Sequence, residues 1–462
     1  MKRNTIYIMV AMVAVAMMAG ACKKTFFTDV NNNPNVVSTV NPNLLLPSAE
    51  IALAFTQGGD FSRNSSLITQ QSFGQSNQTK TFYTYGINPG TFDNGWADIY
   101  TSTMENIYTL RVSADANGYN AYSGVARIML AYSMQMVVDM WGSVPYSQAF
   151  QGNVAGGTIH PVYNTDQALY DSISVLVDSG IARMNNPDAG AIVPGSDDVI
   201  YGGDLSKWTK FGHAIKARLY LHQSKGNAAM ATQALAEAAS SFTSSADNAR
   251  YVFFGDGNTE NSWYQFMKDR QLYITFTNSF LAGQMSALND PRYLIFFDPV
   301  NDATGAASGN HFGGLADYYG ANNAPVEFIT LDELLFLEAE ATLRATGNIG
   351  GAQQLYQAAI DSNMTKLGVA APAIATYLAA NGVLPVSGAD AAIAQVAAQE
   401  YIALFLNPEA WVLYRRTGVP AISPAGPGAV PRRLIYPQSE YSYNAANVPA
   451  STLYVPQIFW DK

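Results

Sequence analysis

TLDELLFLEAEATLRATGNIGGAQQLYQAAIDSNM, residues 330–364, reads as two helices separated by a tight break. Thr330 is a good N-cap, and Glu333 three positions on completes a capping box for a helix running to about residue 345. Gly347-Asn348 then stops it, since glycine enters the left-handed conformation that ends helices without strain. A second helix is predicted over about 351–364, where Ala352, Tyr356 and Ala359 recur at steps of four and three. Small residues on that face let two helices approach closely, and the tyrosine fills the groove between them. Within the first helix, Leu337-Glu338-Ala339-Glu340-Ala341 sets carboxylates in an apolar run. A buried carboxylate must be paired. Arg415, Arg416, Arg432 and Arg433 are the available guanidiniums, whose planar fork suits such a pair. The reading is structural, so Glu340→Ala is expected to destabilise the fold.

The spacing of the second helix is that of a tetratricopeptide-type hairpin. Working outward, residues 123–140 are apolar almost all round, which predicts a buried helix. Residues 165–179 carry Leu169, Ile173, Leu176 and Val177 at helical spacing, with Asp166 placed to favour the helix dipole. Ser206 is read as the cap of a helix whose stripe is Trp208, Phe211, Ile215 and Leu219, with Lys207, Lys210 and Lys216 off it. A last helix is expected over 391–406, followed from Val419 by an irregular Pro- and Tyr-rich tail packed on the surface. Tyr251 to Phe254 and Leu294 to Phe297 are short strand-like runs. The expected fold is therefore mainly α, built of tetratricopeptide-like helical hairpins with loop insertions and small β hairpins.

Composition narrows function. The chain has 462 residues, 48% of them hydrophobic and only 13% charged, which excludes disorder and a coiled coil. Net charge is −10 with no basic stripe, so nucleic acid is excluded as a partner. The single cysteine, Cys22, rules out an internal disulfide or a thiolate metal site.

That cysteine belongs to an address. Lys2 and Arg3 precede an uncharged apolar run from Ile6 to Gly20, shorter than the roughly 20 residues that span a bilayer. Ala19-Gly20-Ala21-Cys22 then resembles the lipobox of bacterial lipoproteins, with Ala19 where Leu is usual. Residues 1–21 are expected to be a lipoprotein signal peptide, Cys22 the lipidated residue, and 22–43 an Asn-rich tether leading into one domain, 44–462.

Catalytic chemistry is not evident. His160, His213, His222 and His311 form no His-x-x-x-His pair, and His213 and His222 fall on opposite faces of their helix. They are read as satisfied or exposed histidines, with no metal and no cofactor. No nucleophile elbow or phosphate-binding loop is present. Asp332-Glu333 sits in a first helical turn, where capping is the simpler role. No catalytic residues are assigned and the chain is not read as an enzyme.

An ordered set of motifs resembles the SusD/RagB-type nutrient-binding outer-membrane lipoproteins of Bacteroidota, in particular their second SusD-like branch. It comprises Asp139-Met140-Trp141-Gly142-Ser143-Val144-Pro145-Tyr146, Tyr201-Gly202-Gly203-Asp204 with Lys207-Trp208, Ala339-Glu340-Ala341, Tyr414-Arg415-Arg416-Thr417-Gly418, and Pro431-Arg432-Arg433-Leu434-Ile435-Tyr436-Pro437. Trp96, Trp141, Trp208 and Trp411 lie within or beside these motifs and are read as structural. The resemblance implies a SusD-like fold of four tetratricopeptide-like hairpins. It also implies a lid-like lipoprotein on a SusC-like TonB-dependent transporter, with oligosaccharide or peptide as cargo, at the outer membrane and facing the cell surface. Two positions depart from the pattern. Glu400 stands where the family often has Lys, and Lys23-Lys24 follow the cysteine where acidic residues favour surface export.

For ligand capture the expected chemistry is rings stacking on sugar faces, with Asn, Gln and Asp orienting hydroxyls. The candidate rings are Tyr83, Tyr85, Trp263, Tyr264, Tyr318 and Tyr319, taken from loop-rich stretches. A surface glycan-degrading enzyme and a scaffold that binds only protein are the alternative readings.

Overall fold

The structure, a computed structural model, describes residues 41–462 apart from 153, 155 and 187–189. The expected signal peptide, Cys22 and nearly all of the expected 22–43 tether therefore lie outside the described residues. The longer helices are α1 (Pro42–Thr56), α2 (Glu105–Asn117), α3 (Asn120–Trp141), α4 (Asp166–Met184), α5 (Leu205–His222) and α6 (Ala228–Ala238). They continue with α7 (Ser262–Asp269), α8 (Leu331–Thr346), α9 (Ile349–Lys366), α10 (Ala371–Asn381), α11 (Ala389–Ala403) and α12 (Glu409–Thr417). Helix accounts for 59% of the described residues and strand for 6%, so the main layer is helical as the patterning requires.

Four consecutive helical hairpins carry the architecture: α2/α3, α5/α6, α8/α9 and α11/α12. Gly118 and Gly347 end α2 and α8 in the left-handed conformation, so each chain turns back within two residues. Neighbouring hairpins stack, α5 on α3 and α4, α6 on α8, and α8 on α11. Helix α3 is the hub; every residue from Ala121 to Trp141 is buried. Its closest neighbour is α4, and the approach depends on a glycine. A Cβ on Gly124 would lie 2.7 Å from the Gly180 carbonyl oxygen. In the α8/α9 hairpin Ala352, Tyr356 and Ala359 are fully buried, as their spacing predicts.

Several local expectations are corrected. Asp204, not Ser206, caps α5; its carboxylate accepts from Ser206 N at 3.0 Å and Lys207 N at 3.2 Å. A charged acceptor two residues earlier is the stronger cap. Thr330 does stand at the start of α8, but no capping box forms, because Glu333 turns inward to accept from Arg218 Nε at 2.8 Å. The Leu294 to Phe297 run is a single helical turn, Tyr293–Phe296. Four apolar residues fit a buried turn as well as a strand.

The strands form two-stranded antiparallel pairs: β1 (Phe73–Gly74) with β5 (Ile274–Thr275), β2 (Val144–Pro145) with β3 (Tyr163–Asn164), β4 (Ala249–Val252) with β8 (Pro325–Ile329), and β6 (Ala307–Ser308) with β7 (His311–Phe312). The strand at Tyr251 is thus real, but its partner is a distant segment and not the other arm of a hairpin.

The tail is also more than a surface wrapping. Leu434 N donates to Met140 O at 2.8 Å, Trp141 Nε1 to Ile435 O at 3.0 Å, and Tyr436 OH to Ser143 O at 2.7 Å. The Arg433 guanidinium bonds the Trp141 carbonyl, and Trp460 Nε1 donates to Asp139 at 3.2 Å. Leu434 and Tyr436 are buried in the main core. The extended tail supplies hydrogen-bonding groups that the C-terminal end of α3 cannot find in its own helix.

The predicted partner of Glu340 is present. Glu340, fully buried, pairs with Arg416 and accepts from Arg344 Nε at 2.6 Å. Arg415 instead lies over the rings of Trp411 and Trp460, and Arg432 pairs with Asp461. Trp96, Trp141, Trp208 and Trp411 are all buried.

Candidate functional site

An open cleft lies beside α1 and α7, and two irregular helical turns shape it. After Thr56 the α1 spiral widens into a π-helical stretch, Gln57–Phe61, in which Gly59 leaves the helical region at φ −85°, ψ −120°. Gly58 is required there by packing, since a Cβ would meet the Val326 side chain at 2.6 Å. A second π-helical stretch, Asp98–Met104, faces the same space. Such turns re-aim side chains and recur at functional sites. They present Asp60, Asp98 and Ser102, the helix after the first, Ser62–Ile68, presents Arg63, and α7 with the residue after it presents Gln265, Phe266, Asp269 and Arg270. Asn64, Gln78 and Asn94 complete a second lobe. The two lobes have volumes of about 400 and 530 Å³ and share Asp60, Arg63, Asp98, Phe266 and Arg270. Each is within the size range of small-molecule sites.

The lining is polar and largely uncommitted. Arg63 pairs with Asp60, and its guanidinium lies 4.7 Å from the centre of the Phe266 ring. Arg270 lies 5.4 Å from the same ring and has no carboxylate partner among the described residues. Partial desolvation by the cleft walls, with the nearby Asp60 charge adding to it, raises the Asp98 carboxyl, although that side chain still meets solvent. The side chains of Asn64, Gln78, Asn94, Asp98 and Asp269 make no hydrogen bond within the described chain. A concave surface with this many free donors and acceptors suits a ligand rich in hydroxyls.

The six ring candidates sit elsewhere. Trp263, Tyr318 and Tyr319 come together around an enclosed cavity of about 40 Å³, beside Gln57, Glu327 and Phe405. That is room for a few waters. Trp263 Nε1 donates to Ser62 Oγ at 2.8 Å and Tyr318 OH to Glu327 at 3.0 Å; burial and the Glu327 charge raise the Tyr318 hydroxyl. Tyr264, half-buried, lies 5.3 Å from the Phe312 ring. Tyr83, half-buried, packs 4.9 Å from Phe73. Tyr85 is buried and its hydroxyl accepts from Ala425 N at 3.2 Å. None of the six lines the open cleft. Reasoning from sequence missed Asp60, Arg63, Asp98 and Arg270. The available signal was Gly58-Gly59 interrupting a helical run.

All four histidines are hydrogen-bonded. His160 Nδ1 meets Tyr443 O at 2.8 Å, His213 Nδ1 meets Glu237 at 2.7 Å, and His311 bridges Asp317 and Asp298. His222 is fully buried, with Nε2 2.7 Å from Glu409 and Nδ1 2.9 Å from the Tyr170 hydroxyl, which in turn bonds Asp139. Asp139, His222 and Glu409 are the one described group whose ligand atoms lie close enough to share a metal. Both ring nitrogens are already engaged, and Arg218 approaches Glu409 at 3.7 Å, so the cluster is filled by the chain's own cation and hydrogen bonds. It reads as a structural tie between α3, α5 and α12. No described helix is long and apolar enough to cross a membrane.

Residues 34–437 match a family model named SusD-like and described as starch-binding, associating with the outer membrane. Among solved structures, a SusD/RagB family protein of Bacteroides thetaiotaomicron is 23% identical, with TM-score 0.74 over 92% of this chain and 99% of that one. A chitin-binding protein is 22% identical, with TM-score 0.75 over 91% of this chain and 100% of that one. A SusD homologue of Bacteroides fragilis is 20% identical, with TM-score 0.72 over 92% of this chain and 100% of that one. These likenesses show the fold. No curated relative matches the chain.

Proposed function

Because this chain belongs to the SusD-like family, we propose that it is a lipid-anchored outer-membrane protein that captures oligosaccharide and passes it, unaltered, to a SusC-like TonB-dependent transporter. The observation that carries the capture step is the cleft between the two π-helical turns, with its free amides and carboxylates. Anchoring would be through Cys22, and two or more acyl chains there hold stably where one is marginal. Of the rings named from sequence, half-exposed Tyr83 and Tyr264 supply secondary contacts, while Trp263, Tyr318, Tyr319 and Tyr85 stiffen the walls.

A hydrolase is the second reading, favoured by one observation: Asp60 and Asp98 share the cleft, and partial desolvation with the nearby Asp60 charge raises the Asp98 carboxyl, as a general acid of paired-carboxylate catalysis needs. A labelled oligosaccharide recovered intact after incubation supports capture; shortened products overturn it.

Two measurements test the proposal. In cells, Cys22→Ser is expected to move the protein from the membrane fraction to the soluble one; retention would remove the anchor. In titrations of chitin- and starch-derived oligosaccharides, Asp98→Ala is expected to weaken binding about 10- to 100-fold, the worth of a hydrogen bond to a charged group. Its melting temperature should not change, because Asp98 supports no other residue. If neither oligosaccharides nor peptides bind while a barrel protein still co-purifies, the chain is a scaffold.

A further inference from the structure

The capture reading leaves the class of saccharide open, and the cleft itself narrows it. We propose that the ligand is an acidic oligosaccharide, one carrying sugar carboxylates, whose acid group is held by Arg270 with Arg63 beside it. This rests on the capture reading and goes further by assigning the ligand's charge.

Three observations carry it. First, the rings of the lining are largely taken: Phe82 is buried, and half-buried Phe55 packs edge-on to Phe253 at 5.0 Å. Phe266 is the aromatic shared by both lobes, it is 9% exposed, and the Arg63 and Arg270 guanidiniums both lie over it. Second, Arg270 is a solvent-exposed guanidinium without an ion-pair partner, even though Asp269 precedes it. Arg63 commits one terminal nitrogen to Asp60 and leaves the rest of its fork free. The planar guanidinium presents a pair of donors that a carboxylate accepts in parallel, whereas a sugar hydroxyl accepts singly. Third, the charge elsewhere is adverse to anions. The chain carries a net −10, and Asp98 and Asp269 lie in the same cleft. An acid can therefore enter in one orientation only, with its carboxylate at the arginines and its hydroxyls at Asp98, Asn64 and Asn94.

The same groups argue against a peptide as the source of the carboxylate. In the second lobe the larger apolar residues, Leu67 and Phe82, are 2% and 5% exposed, and in the first half-buried Phe55 is packed against Phe253, so the lining offers little open apolar surface to a side chain. The free side-chain amides match a polyol.

The test uses the full mature chain and four probes: a trigalacturonate, its neutral methyl ester, chitotriose and an acidic tripeptide. Titration calorimetry is run on the wild type, Arg270→Ala and Arg270→Lys. The wild type is expected to bind trigalacturonate at least about tenfold tighter than the ester, as a charge-assisted pair requires. The margin should shrink as salt rises from about 0.05 M to about 0.5 M. Arg270→Ala is expected to bring the acid down to the level of the ester, with Arg270→Lys between the two because it keeps charge and loses the fork. Unchanged melting temperatures show the variants folded, as an exposed side chain allows. Equal binding of acid and ester, a margin that survives Arg270→Ala, or a preference for the tripeptide each overturns the inference. If the neutral probes bind with no acid preference, this inference falls and capture stands. If no saccharide binds, both fall.

Discussion

Glu340→Ala is expected to cost about 3–5 kcal/mol of folding free energy, the usual penalty for stranding one partner of a buried ion pair. Glu340 is fully buried between Arg416 and Arg344, and Arg416 is 1% exposed. Removing the carboxylate leaves the Arg416 guanidinium with Glu400, 3.9 Å away, as its remaining acid. The two carboxylates are not equivalent. Burial alone pushes Glu340 up, and the Arg416 and Arg344 guanidiniums more than reverse that, so it is held below the usual range. Burial pushes Glu400 well above the usual range, against the pull of Arg416 and with the Glu340 charge adding to it. Glu400 is thus the more readily protonated of the pair, and Glu400→Gln should be mild where Glu340→Ala is severe.

The pH profiles follow. A lowered carboxyl stabilises above its unfolded value, near 4.3, and that stability is lost as pH falls through the folded value. A raised carboxyl does the reverse: the folded state holds the extra proton, so stability declines as pH rises from about 4.3 toward the folded value. Glu400→Gln should flatten that decline. Urea midpoints across pH measure both effects. An unchanged midpoint in Glu340→Ala accompanied by lost ligand binding would move this residue from structure to function. The result also bears on the family pattern, in which lysine often stands at position 400. With an acid there, this chain sets beside Glu340 a carboxyl that burial drives toward its neutral form, where the family pattern offers a second cation.

His222→Ala is the other large effect expected, of similar size, about 3–5 kcal/mol at neutral pH. The imidazole separates Glu409 from Asp139, and both acids are buried with it. Burial raises the Asp139 carboxyl to about 6, with His222 drawing it down and Glu409 pushing it up. For Glu409, His222 and then Arg218 overcome burial and hold it low. Deleting the imidazole removes the attraction and leaves the two acids facing each other, so both should take up protons more readily in the folded state. The penalty is therefore expected to shrink at pH 5, where the folded variant is protonated at less cost, and to be full at pH 8. Chemical unfolding at the two pH values reads this directly. Parallel profiles for variant and wild type would mean that the cluster is not sharing protons.

What could be read in advance was local. The 330–364 hairpin was legible because its stop signal, small residues and tyrosine all lie within one stretch of chain. The buried Glu340 was legible for the same reason, although choosing Arg416 over Arg415 was not, since the two neighbours on α12 meet different partners, Glu340 for Arg416 and the Trp411 and Trp460 rings for Arg415. The start of α5 was misplaced because Asp204 and Ser206 are both competent caps. Residues 294–297 were misassigned because four apolar side chains carry no period. The cleft was invisible for a deeper reason. Its walls come from residues near 60, 98 and 270, which only tertiary contact brings together, and neither an amide nor an arginine on an irregular turn carries a motif. The rings singled out from loop composition were mostly recruited for packing, which aromatic content alone cannot distinguish from display.

The order in which the chain is made gives the tail a consequence of its own. Helix α3 emerges early from any machine that delivers the polypeptide N-terminus first, yet the groups that seal its end come from residues 433–460, about three hundred positions later. Until they arrive, Trp141 and Asp139 have no indole or carbonyl to meet, and the hub stays open to water. Loops of that length close slowly. Maturation of the core is thus timed by its last segment, which acts as a latch: a chain cut short before residue 434 would keep its helices and lose its lock.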